Sequence, residues 1–481
     1  MPTKTVEPER IAELSDAPVN PGGEFVLYAM EASQRAHDNH ALEHAVSRAN
    51  ELAKPLLVLF PLWGDAFGSH RRQKRFMLEG LRDVAAGLEK RRARFAVVMG
   101  EMAEATLRFA DRACLVVLDR GYLRHHRAYE ARIADASPVR VEQVDANVVV
   151  PVETASDKRE HAARTIRPKI HRQWERFLVD LAPTALAVDS RGLKVEGDVV
   201  GRLDDPEPLL DELGLPKGVA DPVQLFTGGE AAARKRFLAF CAEGFGSYSA
   251  HRNQPQTSDC SYMSMHLRYG QVSPVWLALR AQDAASGGED DRGDFWEELI
   301  VRRELAINFC VYGDDYDRYS AIPRFAQKTL ADHAGDEREF VYASQQFEDA
   351  GTHDPYWNAA MRELRYTGYM HNYMRMYWGK KVIEWSASPE EAFETLVTLN
   401  DRYFLDGRDP NSYTGVSWCF GTHDRGWTER PVFGKVRYMN ANGLRRKCDP
   451  DAYVAKVDAL VAAEGGPPSS ALVEGGQTLF G

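Results

Sequence analysis

The sequence has no long apolar run, no paired cysteines and no excess of positive charge, and each absence excludes a class of protein. No stretch approaches the roughly 20 apolar residues of a membrane span, and the polar N-terminus contains no signal region. The net charge of −11 argues against general coating of nucleic acid, although a local basic groove stays open.

The cysteines are few and scattered. They are Cys114, Cys241, Cys260, Cys310, Cys419 and Cys448. Because none forms a CxxC pair, zinc ribbons, iron-sulfur clusters and disulfide frameworks are disfavoured. We therefore expect a protein of the reducing cytoplasm with no metal site.

Residues 23–182 alternate apolar runs with helical patterns, which predicts a parallel sheet covered by helices on both faces. The predicted strands are 25–30, 56–60, 95–99, 114–118 and 139–144. Prolines and glycines before residue 22 indicate a flexible lead. The turns lack the GxGxxG fingerprint, so ordinary NAD binding is weakly supported.

The rest of the chain is predicted to be helical after a linker. Residues 183–229 are rich in Pro, Gly and Asp without sustained periodicity, which is typical of a connection between domains. Residues 230–463 show helical patterns almost throughout, and 464–481 resemble a flexible tail. Continuous helices are predicted over 158–181 and 294–309. The expected fold class is α/β plus all-α.

One predicted helix, near 369–385, carries a face of sulfur and aromatic side chains. Their spacing is three or four residues, and they are Met370, Met374, Tyr377, Trp378, Val382 and Trp385. Large aromatic residues at this spacing are more often core than cofactor site. Arg375 borders the face, however, and a buried positive charge requires a negative partner. Both interpretations stay open.

Two further clusters each have a structural and a functional interpretation. Hydroxyl side chains between Tyr248 and Gly270 precede a predicted helix, and they suit either a helix cap or a diphosphate site. The Asp, Gly, Pro and Asn residues from Asn400 to Asn411 are first a turn signal. Alternatively, Asp406 faces Arg375, and the pair holds the polar edge of a ring.

Charged residues give two more candidates. Basic residues interleaved with aromatic ones from Arg425 to Lys447 are either a solvated charge run or a surface for a phosphate backbone. Charges at helical spacing from Glu297 to Asn308 are either surface ion pairs or a carboxylate, Glu298, at the lip of an aromatic cavity.

Several long motifs in the second half of the chain follow one another in a specific order. They read EELIVRRELAINF, THDPYWNAA, MHNYMRMYWGKKVIEW, LNDRYFLDGRDPNSYTGVSW and HDRGWTERPVFGKVRYM. With ASQRAHDNHAL near the start, they resemble the class II cyclobutane pyrimidine dimer photolyases of the photolyase and cryptochrome family. The resemblance runs from about Phe25 to Val461. It implies a Rossmann-like α/β antenna domain and an all-helical FAD-binding catalytic domain.

The resemblance implies an enzyme that repairs pyrimidine dimers in DNA with light. Its FAD, reduced and anionic when active, would lie folded in the helical domain and pass an electron to a dimer flipped out of the DNA. A deazaflavin or folate antenna pigment in the first domain is a further expectation. The implied partner is UV-damaged DNA, with no membrane and no obligatory protein partner. We expect a cytoplasmic monomer, associated with the nucleoid in a prokaryote.

The resemblance also implies roles for individual residues. The FAD-binding residues would be Tyr248, Ser261, Met263, Ser264, Leu267, Arg375, Asn400, Asp406 and Asn411. The catalytic residues would be Glu298, Met376 and Asn400, and the electron-transfer chain would be Trp378, Trp357 and Trp385. The lesion and the DNA would meet Glu298, Arg302, Met376, Trp418, Trp427, Arg425, Arg430, Lys435, Arg437, Arg445 and Arg446.

Two rival functions remain at the level of sequence. A cryptochrome-like photoreceptor would bind FAD and signal without repair, although the short stretch after Val461 lacks the long extension of many signalling members. A nucleotide-binding interaction protein built on the first domain would leave the order of the motifs as coincidence.

Overall fold

A six-stranded sheet forms the core of the first part of the chain in the computed structural model, which describes residues 6–64 and 68–469. Its strands are β1 (Ile11–Glu13), β2 (Phe25–Ala29), β3 (Leu56–Leu62), β4 (Arg94–Met99), β5 (Ala113–Asp119) and β6 (Val141–Val144). Their order is β1-β6-β5-β2-β3-β4. All neighbours are parallel except β1 and β6. The predicted parallel sheet is confirmed.

The flexible lead predicted before residue 22 is wrong for part of its length. β1 pairs antiparallel with β6, with Ile11 opposite Val144. A three-residue strand has almost no local signal, and it exists here because it covers an otherwise open sheet edge. The first five residues of that lead, and residues 470–481 of the predicted tail, lie outside the described residues.

Helices cover both faces of the sheet. They are α1 (His40–Glu51), α2 (Arg71–Lys90), α3 (Met102–Ala110), α4 (Arg124–Ala136), α5 (Val152–Ala155), α6 (Ala163–His171), α7 (Trp174–Phe177) and α8 (Glu207–Glu212). One core joins α1 and α2 to the sheet and the other joins α3 and α4 to its opposite face. The fold of this part is therefore the expected doubly wound α/β arrangement.

The single helix predicted over 158–181 is wrong. Two short helices, α6 and α7, stand there instead. Pro168 lies inside α6, where it removes a backbone donor and crowds the preceding turn, so the helix ends soon afterwards. The predicted linker has few regular elements, but Leu209, Leu210 and Phe226 are buried in the core between α1, α2 and the sheet. It therefore packs along the α/β part.

The rest of the chain is helical. Its helices are α9 (Glu230–Glu243), α10 (Tyr248–His251), α11 (Ser264–Arg268), α12 (Pro274–Asp283), α13 (Glu289–Trp296), α14 (Arg303–Val311), α15 (Arg324–Asp332), α16 (Ser344–Glu348), α17 (Pro355–Thr367), α18 (Asn372–Trp385), α19 (Pro389–Tyr403), α20 (Pro410–Cys419), α21 (Ala441–Arg445) and α22 (Pro450–Ala463). Across the described residues, no helix has the length and apolar character needed to cross a membrane.

Two predictions in the helical part are refined by the structure. The continuous helix predicted over 294–309 is confirmed, but its middle, Glu297–Arg302, is a π-helical turn that joins α13 to α14. The residues after Asp406 are more than a turn, since α20 begins at Pro410. Asp409 caps it by accepting a hydrogen bond from Asn411 N, and proline in the first turn is favourable.

The α/β part supports the helical part through two adjacent side chains of α2. Buried Arg72 donates to Leu364 O (3.2 Å) and Tyr403 O (2.9 Å), near the C-terminal ends of α17 and α19. Gln73 Nε2 donates to Phe404 O (3.0 Å). Burial lowers the pKa of Arg72 to about 10, so it is still a cation at neutral pH. It adds a charged donor to buried carbonyl oxygens and opposes the negative ends of two helices.

Replacing Arg72 by methionine is expected to lower the free energy of unfolding by about 2–4 kcal/mol, because buried carbonyl groups lose a charged donor. Urea titration followed by far-UV circular dichroism measures the change. Arg132→Met is the control, since exposed Arg132 contacts only Glu101 and Glu104 among its ion pairs. Equal midpoints for both variants would show that the Arg72 contacts contribute nothing.

Candidate functional site

The helical part encloses a cavity of about 310 Å³ between α10, α11, α18, α19, α20 and the π-helical turn. All nine residues predicted to bind FAD line it: Tyr248, Ser261, Met263, Ser264, Leu267, Arg375, Asn400, Asp406 and Asn411. Five predicted lesion or electron-transfer residues also line it: Glu298, Arg302, Met376, Trp378 and Trp418. Residues far apart in sequence therefore converge on one volume of the size usual for ligand sites.

A buried ion pair lies on one wall of the cavity. Arg375 Nη2 is 2.9 and 3.1 Å from the two carboxylate oxygens of Asp406. Arg375 Nε donates to Met370 O (2.9 Å), and the guanidinium stacks 4.0 Å from the centre of the Phe404 ring. These contacts hold the arginine flat, with both charges compensated. Such a pair presents donors and acceptors to the edge of a planar ligand.

The cavity is also lined by hydroxyl groups. Tyr248, Ser261 and Ser264 line it, and burial raises the pKa of Tyr248, which keeps the phenol protonated. The Tyr248 ring packs edge to face on Phe295, with centres 5.6 Å apart. Several neutral hydroxyl donors near one another suit the phosphate oxygens or the sugar hydroxyls of a nucleotide.

The sequence analysis missed a thiol and imidazole pair on the same cavity. Cys260 Sγ lies 3.5 Å from His371 Nε2. Tyr373 N donates to His371 Nδ1 (3.2 Å), which makes His371 the N-cap of α18. Burial lowers the pKa of His371 to about 3, so the ring is neutral and carries its proton on Nε2, towards the sulfur. The predicted helix near 369–385 included His371, so no sequence signal marked this residue as an N-cap.

Glu298 lies on the π-helical turn at the mouth of the cavity and pairs with Arg252, whose Nη2 is 2.6 Å from Glu298 Oε1. The sequence analysis gave Arg252 no role, because the two residues are separated by 46 positions. The guanidinium of Arg302 lies 5.5 Å from the centre of the Trp418 ring. Helical turns of this rare type occur often at functional sites.

The three residues predicted for electron transfer lie near one another. Trp378 lines the cavity, and Trp357 Nε1 donates to Trp378 O (3.0 Å). The Trp357 and Trp385 rings have centres 6.3 Å apart. As the spacing predicts, Trp378 and Trp385 lie on α18 and Trp357 comes from the neighbouring α17. All three are buried, so their geometry is fixed by core packing.

The predicted DNA-binding residues lie outside the cavity. Arg425, Arg430, Lys435 and Arg437 are exposed on residues 425–437, which we call the basic segment. Arg445 and Arg446 are exposed at the end of α21. The backbone of the basic segment doubles back, with Trp427 N donating to Lys435 O (2.8 Å) and Arg430 N to Gly434 O (2.9 Å).

Trp427 does not line the cavity, in contrast to the prediction for the lesion pocket. The residue is 38% exposed, and the guanidinium groups of Arg425 and Arg437 lie 5.2 Å and 4.7 Å from the centre of its ring. Two cation–π contacts hold this tryptophan in place at the surface. Trp427 is therefore positioned to meet a partner molecule outside the cavity.

The residues of the cavity fit a flavin nucleotide. Thr414 Oγ1 and Trp378 Nε1 are buried at the cavity and have no hydrogen-bond partner among the described residues. Unpaired buried polar atoms are costly unless a ligand satisfies them. Hydroxyl groups at one end, an ion pair on another wall and aromatic surfaces between them match a ligand with a phosphate end and a flat polar ring.

The carboxyl ends of the central strands adjoin a second, smaller cavity. The described residues leave a cavity of about 40 Å³ there, beside Glu31 and His126. Asp119 fills the adjoining space, accepting hydrogen bonds from Ser33 N (2.6 Å) and Tyr28 OH (3.1 Å). Burial raises the pKa of Asp119 to about 6. Such a volume holds one or two water molecules, so we assign no antenna function to it.

Comparison with known proteins identifies the family. The DNA photolyase family matches residues 26–187. The chain is 44% identical to a deoxyribodipyrimidine photo-lyase of Methanothermobacter thermautotrophicus, over 95% of this chain and 99% of the relative. It is 41% identical to one of Oryza sativa (92% and 88%) and 38% identical to one of Potorous tridactylus (90% and 81%).

Solved structures share the fold at low sequence identity. A Synechocystis cryptochrome superposes with a TM-score of 0.69 at 16% identity, covering 95% of this chain and 99% of the other. A class III photolyase of Agrobacterium tumefaciens gives 0.65 at 18% identity, over 95% and 94%. Membership of the photolyase family carries with it an FAD cofactor and damaged DNA as substrate. The chain therefore belongs to the deoxyribodipyrimidine photo-lyases of the DNA photolyase family, which confirms the class II resemblance of its motifs.

Proposed function

We propose that this enzyme uses light to repair cyclobutane pyrimidine dimers in DNA, with FAD in the helical cavity. The observation that carries the proposal is that the Arg375–Asp406 pair, Trp378 and Glu298 all line one cavity. Bound FAD in its reduced, anionic form would supply the excited electron that splits the cyclobutane ring. The side chains of this protein would bind and orient the cofactor and the lesion and would supply the electrostatic environment.

The cavity residues divide into those for the phosphate end and those for the ring of the cofactor. The hydroxyl groups of Tyr248, Ser261 and Ser264 would donate to phosphate or ribitol oxygens, beside the apolar side chains of Met263 and Leu267. The Arg375–Asp406 pair, Asn400 and Asn411 would contact the polar edge of the ring. Asn400 is 3% exposed, and its amide donates to Asp401 Oδ1 (2.9 Å), which fixes its orientation.

The lesion would enter at the mouth of the cavity. Photolyases are among the enzymes that extrude their target base from the helix, and a damaged base is extruded at the least cost. Met376 and Trp418 would give the dimer flat, apolar contacts, and Glu298 would accept a hydrogen bond from a base N–H. Arg252 holds the Glu298 carboxylate in one orientation (2.6 Å), with Arg302 beside it.

The duplex would contact the exposed cations around the cavity mouth. Arg425, Arg430, Lys435 and Arg437 of the basic segment, with Arg445 and Arg446, would neutralise phosphates. This local group explains how a chain of net charge −11 binds DNA. Phosphate contacts of this kind orient the duplex, while the shape of the cavity selects the lesion.

The decisive experiment combines a spectrum with a repair assay. Purified protein is chemically reduced, mixed with an oligonucleotide that contains one thymine dimer, and illuminated. We expect a flavin absorption spectrum and the return of intact thymines. A flavin spectrum without repair would indicate a cryptochrome-like photoreceptor, and absence of flavin would exclude the proposed use of the cavity.

Replacing Trp378 by phenylalanine should stop light-driven reduction of oxidised FAD, because the first ring of the path from the cavity is lost. Repair by chemically reduced protein should stay nearly unchanged, since that reaction does not use the path. Trp174→Phe is the matched control, because Trp174 packs on Trp296 away from the cavity. Loss of both activities in the Trp378 variant would assign it a structural role instead.

Replacing Glu298 by alanine should weaken binding of dimer-containing DNA about tenfold, the loss expected for one charge-assisted hydrogen bond. The repair yield should fall with it, while the flavin content stays the same. Binding is measured in the dark by fluorescence anisotropy. Glu104→Ala, at an exposed position of α3, is the control. An unchanged dissociation constant would remove Glu298 from the proposed lesion site.

A further inference from the structure

Helix α15 and the turn after it hold the basic segment in place. Thr329 Oγ1 accepts a hydrogen bond from Lys435 N (3.0 Å), and Asp336 Oδ2 accepts one from Val432 N (2.8 Å). The sequence analysis predicted neither α15 nor any role for these residues. Their contacts are to the backbone of the segment, so they act on its conformation and leave its cationic side chains free.

The contact between α15 and the basic segment depends on Gly434. A Cβ atom at Gly434 would lie 2.1 Å from Thr329 Oγ1 and 2.9 Å from His333 Cδ2. Gly434 also has a positive φ of +52°. Only glycine allows this approach without strain, so the two elements are built to touch.

The turn held by Asp336 is a strained one. Val432 has φ of +66°, an unfavourable conformation for a β-branched residue. Such a conformation persists only where the surroundings hold it. The side chains of Val432 and Phe433 are buried in the helical core, and the hydrogen bond from Asp336 satisfies the Val432 N–H. The carboxylate of Asp336 therefore stabilises the turn between Arg430 and Lys435.

His333 connects this carboxylate to the segment itself. Its Nδ1 is 2.6 Å from Asp336 Oδ2, and its Nε2 is 3.0 Å from Glu429 Oε1. A neutral imidazole has one N–H and can donate to one of these carboxylates, whereas an imidazolium donates to both. The geometry with both contacts made is therefore that of the protonated ring.

The charges around His333 favour its protonation. Glu429 first, and then Asp336, raise the pKa of His333 above its ordinary value. The other charged residues of the surface hollow around it are Glu337 and Arg430. On α15, Asp332 is paired with Lys328, and Arg338 lies after the turn near Asp336. The carboxylates nearest the ring outweigh the cations.

We propose that His333 is a positioning residue, whose imidazolium ties Glu429 to Asp336 and so fixes the basic segment in the conformation that binds damaged DNA. Affinity for DNA is then full when the ring is protonated and declines as it loses its proton. Because Glu429 and Asp336 raise the pKa of His333, the bridge is favoured below the ordinary histidine range and is lost as the pH rises through the raised value. The inference rests on the proposed function of the basic segment.

The test measures the dissociation constant for a duplex with one thymine dimer, in the dark, at pH 6 and pH 8.5. His333→Gln should raise it about two- to fivefold at pH 6, the size expected for partly exposed ion pairs, and should leave it near the native value at pH 8.5. His333→Arg keeps a permanent cation with several donors. It should bind at both pH values as the native protein binds at pH 6.

The matched control is His37→Gln. His37 also contacts a carboxylate, Glu230 at 3.1 Å, and its pKa is also raised, but it lies in the α/β part. This variant should keep the native pH profile. If His333→Gln also keeps the native profile, or if His333→Arg shows the native decline, the inference is wrong.

The outcome separates this inference from the proposed function. A native protein that neither binds nor repairs dimer-containing DNA would overturn the proposed function. A native protein that repairs dimers, with a His333→Gln variant indistinguishable from it at pH 6, would overturn only the role of His333. Flavin absorbance and the urea midpoint of each variant identify any general loss of folding. Glu429→Gln, which changes the carboxylate 3.0 Å from His333 Nε2 and leaves Asp336 in place, is the second variant that breaks the bridge, and it should repeat the loss of affinity of His333→Gln at pH 6.

Discussion

The pairing of Arg375 with Asp406 is the constraint on which the centre of this protein depends. An arginine beside a cavity of Met and Trp side chains is tolerable only with a negative partner at close range. That partner comes from the loop after α19, so the pair requires a fixed separation between α18 and α19. The distance from Arg375 Nη2 to Asp406 Oδ2 is 2.9 Å. The Phe404 ring, stacked on the guanidinium, closes the same junction. The cavity is thus shaped by an electrostatic requirement as much as by packing.

That junction depends in turn on the α/β part. Arg72 and Gln73 donate to carbonyl groups around the ends of α17 and α19, immediately before the loop that carries Asp406. The first domain therefore contributes hydrogen bonds that stabilise the second. With only about 40 Å³ at the carboxyl ends of its strands, its clearest physical contribution is to hold the helix ends from which the cavity wall is built.

Local periodicity explains which parts of the structure could be predicted. The apolar strands and the long helices carry their pattern within themselves, and so does the aromatic face of α18. The features that the sequence analysis did not predict have weak local patterns or depend on residues distant in sequence. β1 exists by pairing with β6, and the π-helical turn has no distinct sequence pattern. The residues after Asp406 suggested a turn, because the capping signal of α20 uses the same residue types. The residues proposed to bind FAD were named through motifs, and they line one cavity, whereas Arg252 was missed because its partner Glu298 is distant in sequence.

Burial differs between the residues proposed for electron transfer and those proposed to bind DNA. Trp378, Trp357 and Trp385 are core residues, so solvent ions and protons do not reach the contacts that join them. The basic segment is exposed, and its contacts are ion pairs, cation–π contacts and a histidine bridge, all of which respond to salt or pH. Electron transfer needs rings at constant separation, which a packed core supplies. Binding a long polyanion such as DNA needs solvent-exposed cations whose side chains can adjust to the positions of the phosphates. One helical domain would meet both requirements by placing the proposed electron path in its core and the proposed DNA contacts at its surface.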